Sequence, residues 1–193
     1  MKIFAALITF IILVILLFLL CIYSGVYNFA ATEPHSVFAK WIFSTSKERS
    51  IIYHAKDITV PHLNNESMIN TGFHHYKEMC VGCHGAPGVS PSEMSEGLNP
   101  EPPKLSEWKE ELKQEELREI FWVIKNGIKM TGMPAFGATH SDKEIWGIVS
   151  FLNQLPKLSP EEYKAMVENT EKNDNGHDHR HNQEQNHGHR HEH

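Results

Sequence analysis

Cys80-Val81-Gly82-Cys83-His84 is the stretch on which the reading of this chain turns. Two thiols separated by two residues lie about one helical turn apart. They can add to the two vinyl groups of a porphyrin, and the imidazole that follows can reach the iron, so the spacing is the attachment signature of a c-type haem. Two other chemistries share part of the pattern. A thioredoxin-like redox pair needs a βαβ pattern around it, and a zinc site needs a second pair of Cys or His at ligand spacing. Neither accompanies this motif. An apolar N-terminal segment precedes it and a Met-Pro pair follows it. Only Cys21 remains of the three cysteines, so one haem per chain is expected and no disulfide framework.

The surrounding residues read as helices joined by irregular segments. Asn64 or Ser67 can cap a helix on which Gly72, Tyr76 and Cys80 share a face, and its end delivers the Cys-x-x-Cys-His turn. From Gly85 to Pro103 the chain is rich in Gly, Pro, Ser and Asn without periodicity, which predicts a loop able to wrap a haem edge. Leu112, Leu117, Ile120, Phe121 and Ile124 mark an amphipathic helix ending at Asn126-Gly127. Ser141-Asp142-Lys143-Glu144 is a capping box, and Ile145, Ile148, Val149 and Leu152 give the next helix its buried stripe. Ser159-Pro160-Glu161-Glu162 repeats the signature for a last short helix. No alternating strand pattern is present.

A haem held by two thioethers and one imidazole has a sixth position, and its occupant decides between electron transfer and ligand binding or catalysis. Met133 is the candidate, 49 residues after His84 within Gly132-Met133-Pro134-Ala135-Phe136. Pro134 stiffens the backbone behind the thioether. Met130 is the rival, and packing is the ordinary use of a methionine. His74, His75 and His140 read as surface residues, because a helix leading into Cys80 cannot easily turn its side chains over the far face of the haem.

With these residues in view, the stretch from 61 to about 157 resembles a class I cytochrome c. It is close in type to small membrane-anchored monohaem cytochromes whose haem domain resembles the cytochrome subunit of cbb3-type oxidases. The resemblance implies an all-α class I cytochrome c fold, a small helical domain wrapped around one covalent haem c. Cys80 and Cys83 match the thioether cysteines, His84 the proximal ligand and Met133 the distal one. Gly72 and Tyr76 match the small and aromatic residues with which the family's first helix crosses its last, here the one bearing Trp146 and Phe151. Pro103-Lys104-Leu105 matches a Pro-x-Leu pattern, which implies that the Pro103 carbonyl accepts the His84 Nδ1 proton. The oxidase subunit carries two haem motifs and this chain one. The resemblance therefore implies a monohaem carrier whose partner is unspecified, a membrane redox complex or dehydrogenase and/or a terminal oxidase.

The flanks divide the chain into segments 1–31, 32–60, 61–158, 159–170 and 171–193. Residues 3–31 carry no charge, and the apolar run through Tyr23 exceeds the about 20 residues needed to cross a bilayer, against about 7 to 15 for a cleavable signal core. This predicts an uncleaved signal-anchor helix in a bacterial inner membrane. Lys2 then lies on the cytoplasmic side and the haem domain on the periplasmic side, where c-type attachment occurs. In the juxtamembrane segment Val37, Phe38, Trp41 and Ile42 fall on one stripe after a Ser36 cap, which predicts a short interfacial helix or a grip on a partner's membrane helix.

From Glu171 onward there is no apolar periodicity, which predicts a disordered tail. His177, His179, His181, His187, His189, His191 and His193 in that tail are candidate ligands for Cu(II), Ni(II) or Zn(II). Residues 61–157 hold thirteen Asp and Glu against nine Lys and Arg, which argues against nucleic acid as a partner. The expected function is one-electron transfer without bond chemistry. The alternatives are a five-coordinate haem sensor or enzyme, and a copper-handling redox protein that uses the tail.

Overall fold

The computed structural model describes residues 1–108 and 112–184, the stretch 173–184 by its backbone alone. Among the described residues the chain is all-helical, with no strand beyond an isolated bridge between Ala86 and Val89. Helix α1 (Lys2–Tyr23) is exposed along its length and is long and apolar enough to span a membrane, as a single-pass anchor would be. Helix α2 (Val37–Ala55) begins at Ser36, whose side chain accepts a hydrogen bond from the Ala39 N–H. It is not the short helix expected. Lys47, Glu48 and Arg49 are good helix formers, and half-buried Ile51 and buried Ala55 extend its inner face by more than a turn.

The haem-motif segment follows as α3 (Glu66–Met79) and the single turn α4 (Val81–His84). The cap of α3 is Asn65, between the two residues expected. Its side-chain oxygen reaches the Ser67 N–H at 2.9 Å, satisfying a donor that the helix itself leaves open. Within the expected loop the chain forms one further turn, α5 (Glu93–Glu96), tied back to the motif by the Ser95 hydroxyl, which donates to the Cys83 carbonyl at 2.8 Å. Helix α6 (Gln114–Asn126) ends on Gly127 at φ +65°, a left-handed conformation suited to glycine. Helix α7 (Asp142–Leu152) starts at the Ser141–Glu144 capping box, with the Glu144 carboxylate accepting from the Ser141 N–H at 2.7 Å.

The core is built where α3 crosses α7. Phe73 and Tyr76 of α3 meet Phe151 of α7 at ring-centroid distances of 5.4 and 5.3 Å, while Trp146 turns the other way and stacks on Phe121 of α6 at 4.2 Å. Ile145, Ile148, Val149 and Leu155 fill the space between them. The crossing is close because Gly72 and Gly147 face each other there; a β-carbon on Gly72 would overlap the Gly147 backbone. Helix α8 (Pro160–Glu184) packs Tyr163, Met166 and Val167 against this core. It runs well beyond the expected 159–170. No proline interrupts it after residue 160.

Candidate haem site

The motif's backbone is set by short-range bonds. The N–H groups of Cys83 and His84 both donate to the Cys80 carbonyl, at 3.1 and 2.9 Å, so the two thiols and the imidazole leave the chain within one turn. Gly85 then takes φ +65° and sends the chain away, and its carbonyl accepts from the buried Tyr76 hydroxyl at 2.6 Å. Ser92 closes the loop by donating its N–H to the Gly82 carbonyl at 2.8 Å. The three motif side chains are therefore held between α3 on one side and the Gly85–Pro103 loop on the other.

His84 Nδ1 lies 2.8 Å from the Pro103 carbonyl oxygen. A carbonyl can only accept, so Nδ1 carries the proton and Nε2 is left with a free lone pair. This is the tautomer that a metal-ligating imidazole needs, with the ring turned by its second nitrogen.

Cys80, Cys83 and His84 line a cavity of about 770 Å³, within the range of ligand and cofactor sites. Its apolar walls come from Leu105, Trp108, Ile120, Val123, Phe136 and Leu152. Met133 lines the same cavity and is half-buried. Its loop is closed by the Ile128 N–H donating to the Met133 carbonyl at 3.2 Å, and by Thr131, whose hydroxyl donates to the Ile128 carbonyl and accepts from the Met133 N–H. Gly127 lies so near this loop that a β-carbon there would sit 2.8 Å from the Met133 carbonyl oxygen. Gly132 is covered by Leu98 in the same way. Met130, by contrast, sits at φ +58° with 93% of its surface exposed and lines no part of the cavity. Its backbone turn aims the side chain at solvent.

The thiols are unpaired, and burial, with the Cys83 thiol adding to it, pushes Cys80 up to about 12. A reactive redox pair would have a lowered thiol instead. Among the described residues no group of three or more His, Cys, Asp or Glu is arranged to hold a metal ion, so a zinc reading gains no second pair. Two thiols and one imidazole with a free Nε2 on a single cavity fit the covalent attachment and proximal ligation of a haem, and the Met133 thioether is the candidate for the remaining position.

A family model described as cytochrome C oxidase, cbb3-type, subunit III matches residues 67–152. This stretch is a cytochrome c domain. The match spans the haem motif, the Met133 loop and the α3–α7 crossing, and stops short of α1, α2 and α8. No curated protein and no solved structure gives a significant match to the chain. The match over this stretch implies haem c and a role in electron transfer.

Other expected residues fall outside the cytochrome c cavity. His74 and His75 lie on the outward side of α3, with His74 Nδ1 3.1 Å from Glu78 and His75 Nε2 3.9 Å from Glu144. The His75 and His140 rings meet edge to face at 5.0 Å. None of the three lines the cavity. His177, His179 and His181 belong to the backbone-only part of α8, while His187, His189, His191 and His193 lie outside the described residues. Sequence reasoning missed Lys47 and Ile51 of α2, which line the cavity although they lie outside the matched stretch. The apolar pair Ile51-Ile52 after the charged run Lys47-Glu48-Arg49 was the available signal.

Proposed function

We propose that this chain is a one-electron carrier whose single haem c is attached through Cys80 and Cys83 and ligated by His84 and Met133. The observation that carries this reading is the placement of the two methionines. Met133 lines the cavity shared by Cys80, Cys83 and His84, and Met130 stands in solvent. When bound, the haem supplies an Fe(III)/Fe(II) couple, and thioether ligation together with burial holds its potential high. The chain's own residues do the rest. Pro103 fixes the His84 ring, Thr131 and Gly127 hold the Met133 loop, and the apolar walls exclude water.

In this reading α1 anchors the chain in a bacterial inner membrane with its N-terminus in the cytoplasm and the haem domain in the periplasm. Electrons pass between a membrane dehydrogenase or other redox complex and an acceptor such as a terminal oxidase, and the chain makes and breaks no bonds. The exposed aromatic half of α2, with Phe38, Trp41 and Phe43, suits the membrane interface next to α1. The His-rich tail is a binding segment for Cu(II), Ni(II) or Zn(II), a reading supported by composition alone.

Carbon monoxide tests the electron-carrier reading. A six-coordinate ferrous protein keeps its spectrum when the gas is added; immediate formation of a CO adduct would show an open position and favour a sensor or enzyme.

A further inference from the structure

The membrane-proximal helix does more than connect the anchor to the domain. Ala55 of α2 is fully buried, the His54 ring lies parallel to Trp122 of α6 at 5.7 Å, and Arg118 of α6 donates to the Lys56 carbonyl at 3.0 Å. A second tie lies at the other end of the segment. Asn99 Nδ2 donates to the carbonyls of Ala31 and Glu33, at 3.1 and 3.5 Å. Asn99 belongs to the loop that runs through Pro100 to Pro103 along the cavity wall and ends on the carbonyl that holds His84. Residues 31–56 are thus fastened both to α6 and to the proline loop, the two borders of the cavity margin.

Two side chains of α2 reach that margin, Ile51 and Lys47. The charges already there are acidic: Glu101 from the proline loop, and Glu116 and Glu119 from α6. Burial, helped by Glu116, Glu48 and Glu115 and opposed by Arg118, raises the Glu119 carboxyl above its ordinary range. Haem would bring two propionates to the same cavity. Among the described lining residues Lys47 is the only Lys or Arg. Ile51 adds to the apolar wall that Ile120 and Val123 of α6 give the same cavity.

Resting on the haem-carrier reading above, we propose that α2 is a built wall of the haem cleft, in which Ile51 covers the margin and Lys47 is a positioning residue whose charge raises the haem potential. The sign follows from charge. The ferrous haem carries one positive charge fewer than the ferric, so a cation at the margin disfavours the ferric form.

The test is a redox titration of the full chain in detergent, following haem absorbance, for the wild type and the Lys47→Glu, Lys47→Arg and Lys40→Glu variants. Lys47 and Lys40 are both exposed on α2, so neither change threatens folding, and Lys40 lies away from the cavity. Lys47→Glu is expected to lower the potential, Lys47→Arg to keep it, and Lys40→Glu to leave it unchanged. The Lys47→Glu shift should shrink as salt is raised. An unchanged potential in Lys47→Glu, or an equal shift in Lys40→Glu, would overturn the proposal while leaving the carrier reading intact. A wild-type protein without covalent haem would overturn the carrier reading itself, and the proposal with it.

Discussion

Gly72 of α3 and Gly147 of α7 meet backbone to backbone, with no room for a side chain at position 72. This contact sets the distance between the helix that delivers the haem motif and the helix that closes the core behind it. Gly72→Ala should therefore cost about 3 kcal/mol or more, since the two backbones must separate and the Phe73, Tyr76 and Phe151 packing with them. Gly147→Ala should cost less, because its nearest neighbours, the Met68 carbonyl oxygen and the Gly72 nitrogen, would lie at 3.1 and 3.3 Å. Denaturant unfolding of the two variants checks the order; a Gly72→Ala protein as stable as the wild type would contradict it.

The Tyr76 hydroxyl links the same helix to the turn after His84. Tyr76 is fully buried and donates to the Gly85 carbonyl at 2.6 Å, and burial raises its phenol well above the ordinary range, so it remains a donor at all working pH values. Tyr76→Phe keeps the ring contacts and leaves a buried carbonyl without its donor, at a cost of about 1–3 kcal/mol. The unfolding midpoint should fall while the haem content stays at the wild-type level. A loss of haem with unchanged stability would show that the bond serves attachment instead.

A pH effect on stability follows from His75. Burial, and then the neighbouring His140, hold its imidazole below the ordinary value of 6.5, with Glu144 and Glu78 opposing and His74 adding to the depression. The unfolded chain takes up this proton at a higher pH than the folded one. The contribution is then fully present above about pH 6.5 and is lost as the pH falls below it, levelling off below the folded-state value. His75→Gln should flatten the stability profile in that window. Chemical denaturation at a series of pH values between 5 and 7 measures it, and an unchanged slope in the variant would remove His75 as the source.

The residues of the candidate cavity were legible in the sequence to the extent that their geometry is local. Cys80, Cys83 and His84 fall within five consecutive residues, and Met133 and Pro103 stand in short patterns whose backbone geometry is nearly self-determined. The Ser141 box and the Gly127 stop were read correctly for the same reason. The features that were missed depend on residues far apart in the chain. Gly147 is ordinary until Gly72 is placed against it, and Lys47 reaches the cavity because α2 is packed on α6 through Ala55, His54 on Trp122 and the Arg118 bond to Lys56, 62 residues away. The extension of α8 past residue 170 was missed because apolar periodicity was the signal used. That stretch has none, and its Asn, Asp, Gly and His residues are weak helix formers, so neither pattern nor propensity signalled the helix.

The central claim is that Met133 is the sixth ligand, and the ferric absorption spectrum tests it most directly. Wild-type and Met130→Ala proteins should both show the methionine-to-iron charge-transfer band, and Met133→Ala should lack it and bind carbon monoxide when reduced. A band that persists in Met133→Ala, or disappears in Met130→Ala, would contradict the account.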